Sequence, residues 1–521
     1  MAPSVRTTVS AALSAVKRWR VLFALFGIYV YVFPYFASLR HANELPRVLT
    51  TMQIVDHGTF QLDSRIDEIG SRVDISETPD GHFYQNKAPG LALLGVPVYL
   101  PVAIACRLLG TEPSMALVTW LLRVMIVIVP SILFLIYFRE VTARFAASIE
   151  ARNGALAAYA LGSMALPYGL LFMSHAPAAA MVGTAFALSV RAVRSEVGVA
   201  KRSALAIGAL LGLAMFVEYQ AIFAALIVGI YVLSGARQRV YSAAMMLTTA
   251  APFLIALAAY HTAAFGSPFV TGYAYSADPT NRIGFMGIVG FSLENLEQLF
   301  VSPSNGLLLL SPWVLLAVVG AVTIALNRDA RRRVGAETWT AVAIVVTYCA
   351  FVTALAPHFA RAGWTIGPRY IAIAMPFFAW LAAAGLETCL KHEAAAVPAY
   401  GLLLVGVVVH VVAASTFPHW PRDYSNPLYE VSFRLLEEDH APHSIGRWIG
   451  IPGSSSLMPL YLAVGVWVLR VLSPTKEYLR ELLLGGVLAA FVVIRYEQLA
   501  MTPDEALVER GWGFITRLVD E

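Results

Sequence analysis

The sequence predicts an all-α integral membrane protein of about thirteen transmembrane helices with one extracytosolic functional face. Two observations carry this fold class. The 521 residues are 58% hydrophobic and only 13% charged, whereas soluble domains carry about 25% charged residues. Apolar runs also recur along nearly the whole chain, and the polar residues between them fall in a few long loops. This composition excludes an ordinary soluble domain.

Thirteen runs approach the length of about 20 apolar residues that crosses a bilayer. The first, 21–39, follows Lys17, Arg18 and Arg20 and has no small-residue cleavage site after it. We therefore interpret it as a retained signal anchor that leaves residues 1–20 in the cytoplasm. The others are 115–138, 154–172, 175–192, 204–217, 220–235, 241–263, 306–326, 339–357, 370–389, 398–416, 457–473 and 480–497.

The apolar stretch 90–109 is predicted to be an interfacial helix and not a span. If it crossed the membrane, the Arg-rich loops around Arg144 and Arg331 would lie outside, against the usual cytoplasmic bias of Lys and Arg. Pro97 and Pro101 also remove backbone hydrogen bonds from a spanning helix.

This topology sends the four longest polar stretches, 40–89, 264–305, 358–369 and 417–456, to the extracytosolic side. Residues 21–497 then form one transmembrane domain, whose first loop is 40–89, and residues 498–521 form an extracytosolic tail. We expect a multi-pass protein of the inner (plasma) membrane with its active site outside.

The net charge and the cysteines indicate which partners and cofactors are not expected. The net charge of +4 is small, and the basic residues are scattered among short loops, so nucleic acid is not expected as a partner. Cys106, Cys349 and Cys389 lie apart in apolar stretches, which indicates neither a disulfide framework nor a metal site. No cofactor is predicted with certainty, and a divalent cation held by carboxylates stays open.

The first loop contains the strongest candidate site. Glu44 stands where the first span ends, and Arg47 is three residues later, on the same face of a helix. In "DGHFYQNKAPG" (80–90), Lys87 stands at the start of the helix that Pro89 and Gly90 open, where a lipid-linked phosphate can bind. The alternatives are a surface ion pair for Glu44 and Arg47, and a snorkelling side chain for Lys87.

These residues in this order resemble the first extracytosolic loop of GT-C membrane glycosyltransferases, among them the protein O-mannosyltransferases and the aminoarabinose transferase that modifies lipid A. "FGSPFVTGYAY" (265–275), "SPSNGLLLLSPW" (302–313) and "GWTIGPRYIAIAMPFF" (363–378) extend the resemblance. It implies a GT-C-like domain over 21–497 that transfers a sugar from a polyprenyl-phosphate carrier to a glycan, lipid or protein acceptor, with inversion. The family's catalytic carboxylate then falls on Glu44, although Asn43-Glu44 stands where relatives often have Asp-Glu, and its phosphate-binding lysine falls on Lys87.

The chemistry suits these residue types. Glu44 is the expected base, because the attacking hydroxyl must lose a proton as an oxocarbenium-like centre forms. The leaving lipid phosphate needs cations, for which Lys87, Arg369 and Arg361 are candidates. The expected substrate-binding residues are Arg47, Asp56, Tyr84, Glu218 and Tyr370.

Two other functions stay open. A transporter or lipid flippase would suit the number of spans, but it predicts charged residues near the bilayer midplane, whereas here they gather at one face. If the protein is instead a non-catalytic scaffold, substitutions in the first loop should leave catalysis unchanged and affect only complex formation.

Overall fold

The computed structural model describes residues 19–32, 41–360, 363–500, 502 and 504–520. The predicted all-α class is confirmed, because nearly every apolar run forms a helix. The helices of eight or more residues are α1 Trp19–Val30, α2 Leu45–His57, α3 Gly90–Leu109, α4 Met115–Phe145, α5 Ile149–Ala160, α6 His175–Val193, α7 Lys201–Val217, α8 Ala221–Gly235, α9 Arg239–Phe265, α10 Leu293–Val301, α11 Val314–Leu326, α12 Arg328–Thr353, α13 Met375–Cys389, α14 Glu393–Thr416, α15 Met458–Leu472, α16 Leu479–Arg495 and α17 Glu505–Asp520.

Shorter elements fill the connections. One-turn helices and 3₁₀ or π segments are Asp63–Glu68, Arg72–Asp74, Ala165–Gly169, Gly272–Tyr275, Pro279–Arg282, Leu307–Leu310, Pro357–Ala360, Arg369–Ala374, Leu428–Phe433, Arg434–Glu437, Ile445–Trp448, Ser454–Leu457 and Tyr496–Leu499. Two antiparallel strands, β1 Ile75–Glu77 and β2 Phe83–Gln85, form a hairpin in the first loop with Ser76 opposite Tyr84.

Nine helices in the described part of the chain are long and apolar enough to cross a membrane, which leaves the count of thirteen unconfirmed. The expected span 154–172 is broken, because α5 ends at Ala160 and a separate short helix follows it. The nine include α3, which continues through Pro97 and Pro101. Its interfacial position therefore stays a prediction.

Glycines allow the closest contact between α11 and α13. A Cβ atom on Gly320 would lie 2.0 Å from the carbonyl oxygen of Leu381, and one on Gly385 would lie 2.0 Å from that of Leu316. Small residues let helix backbones approach each other in membranes, where van der Waals packing drives association. These two positions therefore fix the spacing of the helix pair.

The long polar loops meet at one face of the helix bundle. The first loop and loop 264–305 are joined by a bridge between Ser76 and Ser276 and by the Ala277 amide, which donates to Ile75 O at 2.8 Å. Asn305 likewise donates from Nδ2 to the carbonyl oxygen of Ala360 at 3.2 Å. The loops that the sequence places on one side are thus in contact, and we call this side the site face.

Candidate active site

Glu44 is fully buried at the site face and is paired with Arg123. Arg123 donates from Nε to Oε1 at 2.9 Å and from Nη2 to Oε2 at 2.8 Å, and the Phe172 amide donates to Oε1 at 2.6 Å. Arg123 begins a π-helical segment within α4. Burial by itself would raise the pKa of Glu44, but the charge and hydrogen bonds of Arg123 lower it. These contacts are those of a paired carboxylate with little access to a substrate.

The neighbouring Asn43 points in a different direction. Its Nδ2 donates to Asp74 Oδ2 at 2.9 Å, and its oxygens accept from Arg47 Nη1. Arg47 Nη2 also donates to Ser174 Oγ at 3.2 Å. Asn43 thus connects the start of α2 to Asp74 and to the cations around it.

A second ion pair joins the two ends of the β1–β2 hairpin. Lys87 Nζ lies 2.8 Å from Asp74 Oδ1, and both side chains are 9% exposed. Lys87 also donates to the Tyr273 hydroxyl at 2.8 Å. Burial by itself would raise the pKa of Asp74, but the charges of Lys87 and Arg369 lower it well below its ordinary value. Asp74 is therefore ionised at neutral pH and is a weak base.

Two arginines at this site each have a buried Nε atom that donates no hydrogen bond to the described residues. Arg369 is 8% exposed, donates from Nη2 to the Tyr370 hydroxyl at 3.1 Å, and stacks over that ring. Within the part of the chain that the structure describes, the buried Nε atoms of Arg369 and Arg47 have no hydrogen-bond partner. A buried donor without a partner costs free energy, so both atoms are available to an acceptor at this site.

Glu218 is the most accessible carboxylate of this group, with its side chain 14% exposed. It lies just after α7, where its Oε2 accepts from Ser174 Oγ and lies 3.4 Å from His175 Nδ1. Ser174 also contacts Arg47, so Glu218 belongs to the same group of side chains. We call Arg47, Asp74, Lys87, Glu218, Arg369 and Tyr370 the cationic cluster.

Two histidines lie beside Glu44. The rings of His41 and His419 are stacked with centroids 4.0 Å apart, and His41 Nε2 lies 3.0 Å from the Trp364 carbonyl oxygen. His419 Nε2 is 3.9 Å from Glu44 Oε2. Burial lowers the pKa of both imidazoles, most strongly that of His419, so both rings are neutral at pH 7.

The structure brings together five of the residues expected from the sequence: Arg47, Lys87, Glu218, Arg369 and Tyr370. It places Asp56 elsewhere, with Tyr99 at 3.0 Å and Arg107 at 2.8 Å, nine residues or roughly 13 Å along α2 from Arg47. Tyr84 packs against Phe265 and accepts from Gln61. Arg361 lies outside the described residues.

The sequence prediction missed Arg123, Asp74 as a partner of Lys87, and Tyr273. Asp74 and Lys87 flank two short β-prone segments separated by "TPDGH", and this turn signal predicts a hairpin that would bring them together. Arg123 is an ionisable residue inside an apolar run, which is itself a sign of a buried partner. Tyr273 has no comparable signal.

A metal centre has no evident place among the described residues. Within 19–32, 41–360, 363–500 and 504–520, no three His, Cys, Asp or Glu side chains form a group that could hold a metal ion. Asp74 and Glu218 are instead engaged by Lys87 and by Ser174.

Comparison with known proteins gives structural similarity at low identity. No protein-family model and no curated protein matches the chain. ArnT from Cupriavidus metallidurans in the apo state is 15% identical with a TM-score of 0.48, over 95% of this chain and 78% of that one. The oligosaccharyltransferase of Archaeoglobus fulgidus in complex with zinc and sulfate is 12% identical with a TM-score of 0.48. That match covers 84% of this chain and only 57% of the oligosaccharyltransferase. At these identities and TM-scores, the similarity assigns neither a substrate nor an activity to this chain.

Proposed function

We propose that this protein is a glycosyltransferase that moves a sugar from a polyprenyl-phosphate carrier to a glycan, lipid or protein acceptor at the site face. The observation that carries the proposal is the cationic cluster, in which the described residues place three cations, Arg47, Lys87 and Arg369, beside two carboxylates, Asp74 and Glu218. Three cations against two carboxylates leave one positive charge for an anionic ligand.

The cluster suits a phosphate attached to a lipid. It lies where the polar loops meet the ends of the membrane helices, so a headgroup bound there would leave its hydrocarbon in the bilayer. The free Nε atoms of Arg47 and Arg369 are donors for phosphate oxygens, and charge-assisted bonds of this kind are the strong ones. As the glycosidic bond to the phosphate breaks, these cations stabilise the negative charge on the leaving phosphate.

The proton of the acceptor hydroxyl needs a carboxylate that the acceptor can reach. Glu44 is fully buried and bound by Arg123, and Asp74 is paired with Lys87. Glu218 is partly exposed and has one oxygen, Oε1, for which the described residues show no hydrogen bond. We therefore propose Glu218 as the group that orients or deprotonates the acceptor, and the prediction that Glu44 is the base stays to be tested beside it.

The experiment is turnover of a panel of polyprenyl-phosphate sugars by the purified protein with extracted membrane acceptors. We expect one donor to be consumed, with inversion at the anomeric carbon. Because general-base assistance is typically worth about 10²–10⁴-fold, Glu218→Gln should reduce turnover by at least about 10²-fold. Glu44→Gln should reduce it only as far as it reduces the folded fraction.

Asp56→Asn is the matched control, since it makes the same carboxylate-to-amide change outside the cluster. It should keep wild-type turnover. If folded wild-type protein consumes no donor but moves a lipid-linked substrate across the membrane of proteoliposomes, the protein is a transporter or lipid flippase and this proposal is wrong. Loss of turnover in folded Glu44→Gln, with Glu218→Gln unaffected, would return the role of base to Glu44.

A further inference from the structure

The loop between α9 and α10 carries an exposed apolar hairpin. Its sequence, "IGFMGIVGFSL" (283–293), is eleven residues without a charge, flanked by Arg282 and Glu294. Phe285 is 74% exposed, Val289 52% and Phe291 68%. Polar loops rarely present three large apolar side chains together, so this surface indicates an apolar partner.

The backbone of the hairpin makes several hydrogen bonds within itself and to the end of α12. Phe285 and Ile288 exchange backbone hydrogen bonds of 3.3 and 3.1 Å, and the amides of Val289 and Gly290 donate to the Ala354 carbonyl oxygen at 2.9 and 3.1 Å. In hydrocarbon each unsatisfied backbone group costs several kcal/mol. These four amides are thus paired within the segment or with Ala354, while the side chains of Phe285, Val289 and Phe291 are exposed.

The hairpin is attached to the end of a helix that is long enough to span the membrane. The Ser292 amide donates to Thr353 O at 2.9 Å, and Thr353 is the last residue of α12, one of the helices long enough to span. The same helix exposes Val346, at 59%, to its surroundings. The exposed face of the hairpin thus continues the lipid-facing surface of α12 at the end of that helix.

The turn of the hairpin has a left-handed backbone and packs closely against Phe359. Met286 adopts a left-handed φ of 53° between Gly284 at 62° and Gly287 at 86°. A Cβ atom on Gly287 would lie 2.6 Å from the Phe359 ring. Phe359 in turn packs edge-on against Tyr273, with centroids 6.0 Å apart. One side of the hairpin therefore packs on the protein, where Phe359 and Tyr273 lie between it and Lys87, and the other side is exposed.

We propose that the hairpin 283–293 inserts into the hydrocarbon of the leaflet on the site face and anchors the Phe359–Tyr273–Lys87 contacts at the depth of the membrane surface. The occupant of its apolar face is the acyl chains of that leaflet. The proposal does not depend on glycosyl transfer.

The test is the accessibility of nitroxide labels in the full chain, reconstituted in lipid nanodiscs. Cys106, Cys349 and Cys389 are replaced by alanine, and single cysteines are introduced as Phe285→Cys, Val289→Cys or Phe291→Cys. The control is Asp80→Cys, at an exposed turn of the β1–β2 hairpin on the same face. We expect the ratio of accessibility to oxygen over accessibility to a water-soluble nickel chelate to be several-fold higher at the three hairpin positions than at residue 80.

Two outcomes overturn the proposal. Ratios at 285, 289 and 291 equal to the ratio at residue 80 would place the hairpin in water. Low accessibility to both oxygen and nickel would show that protein, such as a second copy of the chain, covers the face in place of lipid. Three independent label positions keep the test valid if one of the substitutions prevents folding.

Discussion

Replacing Lys87 with methionine should affect stability and donor use separately. Lys87→Met leaves Asp74 as a buried carboxylate without its 2.8 Å partner, and breaking a buried ion pair in this way costs about 3–5 kcal/mol. Asn43 still donates to Asp74, and the charge of Arg369 still stabilises the Asp74 carboxylate. We therefore expect a loss of stability at the lower end of this range, about 3 kcal/mol. The double variant Asp74→Asn/Lys87→Met removes the unpaired charge and should recover most of this stability.

Donor use should not recover in the double variant. A hydrogen bond to a charged group is worth about 1.5–3 kcal/mol, so loss of Lys87 should lower kcat/KM for the lipid-linked donor by about 10- to 150-fold. The assay is kcat/KM, normalised to the folded fraction, for wild type, both single variants and the double variant. If the double variant recovers kcat/KM together with stability, Lys87 serves only to neutralise Asp74 and its proposed contact with phosphate is wrong.

Three further predictions concern folding and are measured by thermal unfolding in detergent. Burial lowers the pKa of His419 below 6.5, so below pH 6.5 the unfolded chain binds a proton that the folded chain does not, and the free energy of unfolding falls by up to about 1.4 kcal/mol per pH unit. His419→Gln should make this fall with pH less steep. An unchanged pH profile in the variant would show that His419 does not cause the fall. Gly320→Ala, whose Cβ would meet Leu381 O, should cost about 1–3 kcal/mol, whereas Gly229→Ala, with open space around it, should be nearly neutral. Glu44→Gln should cost about 3–5 kcal/mol because it removes the carboxylate with which the buried Arg123 is paired, and adding Arg123→Met should restore part of it.

The sequence predicts the class of the fold well because hydrophobicity alone separates membrane helices from loops. It predicts helix ends less well where the backbone breaks inside an apolar run. Residues 154–172 are apolar nearly throughout, yet Ser163 accepts a local bond from the Ala165 amide at 3.1 Å and a new short helix begins there. Hydropathy does not register such a local hydrogen bond, so one expected span becomes two helices.

The sequence also predicts which loops carry the site, but not every contact within it. Lys87, Arg369 and Glu218 come together from three separate segments, as their positions at the ends of apolar runs indicate. Asp56 fails to join them because it is too far along α2. Pairing across the hairpin, as between Asp74 and Lys87, depends on which residues the turn brings opposite each other, and that register is set by the folded backbone.

The register at the start of α2 has the largest consequence for mechanism. Asn43 and Glu44 lie in the turn just before α2, and their side chains point in different directions. Asn43 contacts Asp74, and Glu44 turns to Arg123 in α4. An amide therefore stands at the position that faces the cations, where it donates to a carboxylate and adds no negative charge. This leaves the cluster with one net positive charge, which agrees with the anionic headgroup that we propose as its ligand, and it is why we propose Glu218, and not Glu44, as the carboxylate that acts on the acceptor.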